Sequence, residues 1–275
     1  MRPRLGVKAA AHAVLLLGSA VMLFPFIWSI GTSLKDIGEV FTFPPRFFGE
    51  QLKFANYTHM TERIPFFRFF FNTLKITVIV VVFQLLTSSM AGYVFARLRF
   101  RFREGLFGLY LATLMVPAQV TMIPTFLLMK YYGLLDTHWS LILPALVSAF
   151  GTFLLRQFFS TIPIALEEAA KIDGCTPFGI YWRIFVPLSK PALATLGIFI
   201  TMGTWNDFVN PLVYLSSMSK MTLTLGLANM QGLYSTDWPA LMAATVITVL
   251  PILIVFLLAQ DVFVRGVTLS GLKGE

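Results

Sequence analysis

The chain of 275 residues is 57% hydrophobic and only 12% charged, with a mean hydropathy of +0.77. A soluble domain carries about twice that charge fraction, so there is too little polar surface for a water-facing shell, and the bilayer is the natural solvent. The formal net charge of +8 would suit nucleic acid, but the basic residues sit between apolar runs and read as topology signals.

Arg2, Arg4 and Lys8 precede an apolar run from Ala9 to Ile30. This mimics a secretory leader, yet it exceeds the usual apolar core of about 7–15 residues. It also contains the bulky stretch Phe24-Pro25-Phe26-Ile27-Trp28 and no clear cleavage site, so it reads as a retained first transmembrane helix. A spanning helix needs about 20 mostly apolar residues. Six segments meet or approach that length: Ala13–Ser33, Thr73–Ala96, Leu106–Met129, Trp139–Phe159, Ala192–Leu215 and Ala240–Ala259. Their apolar runs are continuous, whereas a barrel strand alternates over about 10 residues. The expected fold is therefore all-α, a polytopic membrane protein of six transmembrane helices in one domain, 1–275. Prolines 25, 117, 124, 144 and 251 fall within these segments, and Pro117 with Pro124 is expected to bend the third. The longest loop, Leu34 to Asn72, carries Phe43-Pro44-Pro45 and suggests a segment lying along the outer membrane surface.

Lys and Arg then set the topology. The run Arg97, Arg99, Arg101, Arg103 lies in a short loop on the same side as both termini and as Arg156, Lys171, Arg183 and Lys190. The positive-inside rule makes that side cytoplasmic. Cys175 is the single cysteine, so no internal disulfide forms. His12, His59 and His138 are scattered, and neither a metal-ligand cluster nor a nucleophile–base arrangement stands out.

The loop between the fourth and fifth segments, 162–187, reads as two short helices joined by a turn. Pro163 suits a helix start. Glu167 and Lys171 are four apart in the favourable order for an ion pair. Gly174 fits a helix end that needs positive φ, and Thr176-Pro177 offers a cap followed by a first helical position. Ala165, Ala169 and Ile172 share one side of the first helix, which permits close approach by another backbone. Such an element is too polar to cross the bilayer and should lie at the cytoplasmic surface.

Glu168-Ala169-Ala170, then Gly174, Ile184 and Val186-Pro187 resemble, in residues and spacing, the "EAA" loop of bacterial ABC importer permeases, with Val186 standing where that pattern has Leu. The wider chain is similar to carbohydrate-importer permeases of the maltose-permease type, in particular the smaller of their two membrane subunits. Phe71-Asn72-Thr73-Leu74, Trp205-Asn206-Asp207-Phe208 with Asn210-Pro211-Leu212, and the Phe263–Thr268 and Gly271–Gly274 stretches add to that likeness. The resemblance implies a bacterial cytoplasmic (inner) membrane location, a second permease subunit as heterodimer partner, two ATPase subunits and an extracytoplasmic solute-binding protein. It implies ATPase docking by a cytoplasmic coupling helix with Glu167, Glu168, Ala169, Ala170, Asp173 and Gly174. No phosphate-binding Gly-x-x-x-x-Gly-Lys-Ser/Thr loop occurs in the sequence, so ATP and Mg are expected in the partner ATPase and this chain is expected to be a transport subunit rather than an enzyme.

Polar groups inside a membrane segment mark a solute path by default. Trp205, Asn206, Asp207 and Asn210 cluster in the fifth segment, and Asn72 opens the second; Lys75, Gln84 and Gln119 are further possibilities. A sugar or oligosaccharide is the expected cargo, and a polyol phosphate such as glycerol-3-phosphate is the alternative. An ion-driven secondary transporter fits less well, because such proteins bury carboxylates in their helices, and here Asp207 and Asp261 lie near helix ends.

Overall fold

The computed structural model describes residues 5–232 and 236–271. In chain order its α-helices are α1 (Leu5–Ser33), α2 (Asn56–Arg63), α3 (Phe66–Arg97), α4 (Arg103–Ala112), α5 (Ala118–Tyr131), α6 (Trp139–Ala145), α7 (Ala149–Thr161), α8 (Ile164–Ile172), α9 (Pro177–Ile180), α10 (Val186–Leu188), α11 (Lys190–Trp205), α12 (Val209–Tyr214), α13 (Leu223–Ala228) and α14 (Trp238–Gly271). Four stretches are long and apolar enough to cross a bilayer: Ala11–Ser33, Phe66–Arg97, Trp139–Thr161 and Trp238–Leu258. Among the described residues two bent pairs, each taken as one broken span, bring the number to six: Arg103–Met115 with Ala118–Tyr131, and Pro177–Leu188 with Lys190–Trp205.

The chain forms two compact units, Met1–Phe67 with Gly226–Pro251, and Arg68–Leu225 with Ile252–Glu275. In the first, the long loop folds back on the end of α1. Asn56 donates from one amide to the carbonyls of Ser33 (2.9 Å) and Lys35 (2.8 Å), satisfying acceptors that a helix end leaves open. Lys35 is buried; its ammonium lies 4.8 Å from the centre of the Trp28 ring, which attracts a cation through its negative face. Phe24, Trp28 and Phe47 pack as a ring trio. Phe43 stays almost fully exposed.

The second unit carries the site. Its core joins α3, α7, α9 and α11 through Val80, Leu155, Phe159, Ile180, Phe185 and Leu196, all fully buried. Lipid is as apolar as leucine, so such helices associate by close packing and small residues rather than by escape from water. Gly92 and Gly151 supply that closeness. A Cβ on Gly92 would lie 3.0 Å from the Arg156 backbone nitrogen, and one on Gly151 would lie 2.6 Å from Ser88 Oγ.

Three segments are interrupted. The third bends at Pro117, as expected: its halves meet at 98° across Val116-Pro117. Pro117 has no N–H to continue the ladder and disfavours the helical conformation at Val116, which is extended (φ −85°, ψ 116°). Pro124 lies inside α5, which continues through it. The fifth segment, expected unbroken over Ala192–Leu215, stops at Trp205 and restarts as α12. Asp207 makes the break by accepting the Asn210 N–H (3.2 Å), a side-chain-to-backbone bond that competes with the helix. In the fourth, Ser148 takes the Gly151 N–H at the start of α7, leaving a short interruption after α6.

Candidate functional site

The loop between α7 and α11 is built as its residues dictate. Pro163 sits at the N-cap of α8, where its missing N–H costs nothing. Lys171 Nζ lies 2.7 Å from Glu167 Oε1. Gly174 closes the helix at φ +78°, and the N–H of Cys175 returns to the Ala170 carbonyl at 2.9 Å, sealing the C-terminus. Thr176 accepts the Gly179 N–H at 3.2 Å, with Pro177 in the first turn of α9. The result is a bent element in which the C-terminus of α8 is closed by backbone bonds and the N-terminus of α9 is capped by Thr176.

Beyond α9 a regular helix was expected to run to Pro187. Instead Tyr181–Phe185 forms a π-helical turn. Pro187 cannot donate to the carbonyl four residues earlier, which relaxes the α-helical ladder here. The chain then turns by 78° at Ser189 into α11.

The six expected docking residues divide by face. Glu168, Ala169, Asp173 and Gly174 are exposed, together with Leu166, Ile172 and Phe178. Glu167 and Ala170 are buried, and Glu167, only 3% exposed, cannot serve as a surface contact. Its Oε2 lies 4.0 Å from Arg97 Nε at the end of α3. Burial of a carboxylate is tolerable when cations and hydrogen bonds surround it; Lys171 supplies a hydrogen bond at 2.7 Å and Arg97 a second positive charge at 4.0 Å. Arg97 is accordingly the last residue of α3 rather than part of a loop.

A second feature is a cavity of about 450 Å³ bounded by α3, α5, α6, α11 and α12. Its polar lining is hydroxyl-rich, including Thr73, Thr121, Thr125, Ser140, Ser148, Thr204 and Tyr214, with the amides of Gln84 and Asn210. Asp207 is the one charged residue in its described lining, and both of its carboxylate oxygens accept from Asn210, at 3.2 and 2.8 Å.

Of the five expected solute-path residues, Asp207 and Asn210 line this space and the other three do not. Trp205 is buried with its ring edge-on to Phe70 at 5.6 Å. Asn206 is exposed and caps α11 through the Met202 carbonyl. Asn72 donates to the carbonyls of Ser219 and Met221, at 3.1 and 2.9 Å, bolting the segment after α12. Gln84 lines the cavity, whereas Lys75 and Gln119 do not. The hydroxyl lining was missed because isolated Thr and Ser in apolar helices commonly bond their own i−4 carbonyls.

Residues 84–269, more than half of the chain, match the family described as binding-protein-dependent transport system inner membrane component. The chain belongs to that family. It is 38% identical over 214 residues to the arabinooligosaccharides transport system permease protein AraQ of Halalkalibacterium halodurans, covering 78% of this chain and 77% of that one. It is 34% identical to the lactose transport system permease protein LacG of Rhizobium radiobacter, covering 93% of each. Among solved structures, a bacterial ABC transporter importing the acidic polysaccharide alginate superposes with a TM-score of 0.83 at 26% identity, over 93% of this chain and 96% of that chain. The protein is thus an ABC importer permease subunit, an all-α polytopic inner-membrane component that moves solute rather than catalysing a reaction.

Proposed function

We propose that this permease carries a neutral sugar or oligosaccharide and takes its driving force through the exposed face of α8. The observation that carries the coupling half is the capped helix itself. Glu168, Ala169, Ile172 and Asp173 of α8, and Phe178 of α9, are all exposed on an element whose turn is fixed by backbone bonds at Gly174 and Cys175, and Ile172 is 87% exposed. An apolar group so open on a rigid knob suits a groove in another chain. The partner is an ATPase subunit, present twice, that binds ATP and Mg. A second permease subunit completes the membrane core, and an external solute-binding protein delivers the cargo. The basic residues Arg99, Arg101, Arg103 and Arg183 orient this face, with both chain termini, toward the cytoplasm.

The cargo half rests on the cavity. Hydroxyls and amides answer sugar hydroxyls, and the described lining holds no lysine or arginine to receive a phosphate or carboxylate. The relatives named for arabinooligosaccharides and lactose agree with a carbohydrate. The test is uptake by proteoliposomes holding the chain with its co-expressed ATPase, second permease and binding protein. Uptake of lactose or arabinotriose that requires ATP is expected. Uptake that proceeds without ATP, or that is confined to glycerol-3-phosphate, overturns the reading.

A further inference from the structure

We propose that Arg97 is a positioning residue for coupling: it fastens the α8 knob to α3, so that force received at the loop travels up α3 to the cavity wall. The proposal rests on the docking reading above. A single guanidinium gathers four pieces of chain. Its Nη2 donates to the Phe159 carbonyl at 2.6 Å, which also accepts the Ile162 N–H at 3.2 Å, and to the Ile162 carbonyl just past the end of α7. Its Nε faces Glu167 of α8 at 4.0 Å. Its Cζ lies 5.0 Å from the centre of the Phe185 ring in the π-helical turn. The two side chains are 9% and 5% exposed, so little water screens the pair, and removing one partner strands a buried charge.

Arg97 does not act alone on α3. Ser89 Oγ lies 2.8 Å from Tyr181 Oη. Tyr93 packs against Tyr181 and Phe185, with ring centres at 5.5 and 4.9 Å. Positions 89, 93 and 97 are spaced by four and form one stripe along a helix. The stripe grips the loop at three successive turns. The covalent chain joins α8 only to α7 and, through α9 and α10, to α11. The stripe adds a third route into α3, whose other end supplies Thr73, Val80 and Gln84 to the cavity. From Arg97 to Gln84 is about 20 Å of unbroken helix at 1.5 Å per residue, and a continuous helix transmits displacement without slack.

The decisive experiment uses the whole transporter in proteoliposomes, with lactose or arabinotriose as the probe, whichever the wild type moves. Three quantities are read: ATPase retained on purification, ATP hydrolysed, and sugar moved per ATP. Glu167→Gln keeps the shape of the side chain and removes its charge. Arg97→Lys keeps the charge and loses the forked geometry. For both, the retained ATPase is expected to match wild type while sugar moved per ATP falls about tenfold. The charge-exchanged double variant Arg97→Glu/Glu167→Arg is expected to fall as far, because glutamate cannot donate to the Phe159 and Ile162 carbonyls. An unchanged sugar-to-ATP ratio in both single variants overturns the proposal. Loss of bound ATPase in proportion to lost uptake also overturns it, since the pair would then only shape the docking face. Should either single variant fail to insert, Ser89→Ala removes just the bond to Tyr181; about a twofold fall in the ratio is expected, and no change overturns the stripe. A wild-type complex that retains no ATPase instead refutes the docking reading on its own.

Discussion

Asp136 holds Lys220 across more than eighty residues of chain: the ammonium lies 3.1 Å from the carboxylate and 2.5 Å from the Asp136 carbonyl. The same carboxylate accepts from the Ser217 hydroxyl and from the backbones of Ser216 and Ser217. Those bonds, the Ser217 hydroxyl foremost, hold the Asp136 carboxyl well below the ordinary carboxylate range. Its backbone is left-handed at φ +53°, a conformation that Asn tolerates and Ala does not. Asp136→Asn should therefore cost about 1 kcal/mol after allowing for partial exposure, and Asp136→Ala about 1 kcal/mol more. Thermal unfolding of the detergent-solubilised chain checks both.

The neighbouring His138 gives the same clasp a sensitivity at higher pH. Burial pushes its imidazole below the ordinary value, with Lys75 and Lys220 reinforcing the shift and the bond to the Lys220 carbonyl and Asp136 opposing it. The unfolded chain thus takes the proton first, near pH 6.5, and stability falls as pH drops through that value. Asp136 works at lower pH: its contribution is complete above the unfolded value of about 3.9 and vanishes as pH falls through the folded value. Melting temperature against pH should show two acid steps. His138→Asn should remove the upper one and leave the lower.

Gly174 supplies a backbone conformation rather than room, since nothing lies within 4 Å of a Cβ placed there. Gly174→Asn should couple nearly as wild type, while Gly174→Val should cost about 1–2 kcal/mol of loop order and release the ATPase on purification. Glu168→Lys, on the exposed face, should release it with no loss of stability. Retained ATPase in both Gly174→Val and Glu168→Lys removes α8 as the docking element.

At Gly151 the constraint is space. Gly151→Ala drives a methyl to 2.6 Å from Ser88 Oγ and should cost about 1–3 kcal/mol. Among the described residues Ser88 Oγ has no hydrogen-bond partner, so Ser88→Gly forfeits little and should recover much of that loss in the double variant. A double-mutant cycle with additive effects refutes the close contact of α3 and α7.

In the cavity, Asp207→Asn retains an acceptor for the Asn210 N–H and should leave neutral-sugar uptake within about threefold of wild type. Asp207→Lys reverses the charge and should shift preference toward an acidic sugar such as galacturonate by about tenfold. Competition uptake between the two sugars measures it, and an unchanged ratio separates this cavity from the solute path.

The membrane class was readable because water-soluble folds rarely contain an apolar run of about 20 residues, and the bounds of α8 and the cap of α9 were readable because Pro163, Gly174 and Thr176 act on their own neighbours. Interruptions were harder. Hydropathy does not register that Asp207 takes an N–H from Asn210, so the fifth segment looked continuous. Sequence spacing pairs Glu167 with Lys171 but does not show that Glu167 turns inward beside Arg97, seventy residues earlier. Trp205 and Asn72 looked like sugar contacts because an aromatic ring and an amide serve packing and loop-bolting equally well.

The sharp corner at Ser189 has a mechanical consequence. One residue separates α10 from α11, so the junction has no spare length to stretch. With 16 residues, α11 is a lever about 24 Å long. A sideways step of about 2 Å at its loop end, pivoting near the middle, becomes a swing of similar size and opposite sense at Trp205. The far tip lies beside Gly203, Thr204 and Asp207 on the cavity wall, so on the proposed coupling small strokes at the loop would widen or narrow that wall with no helix changing length.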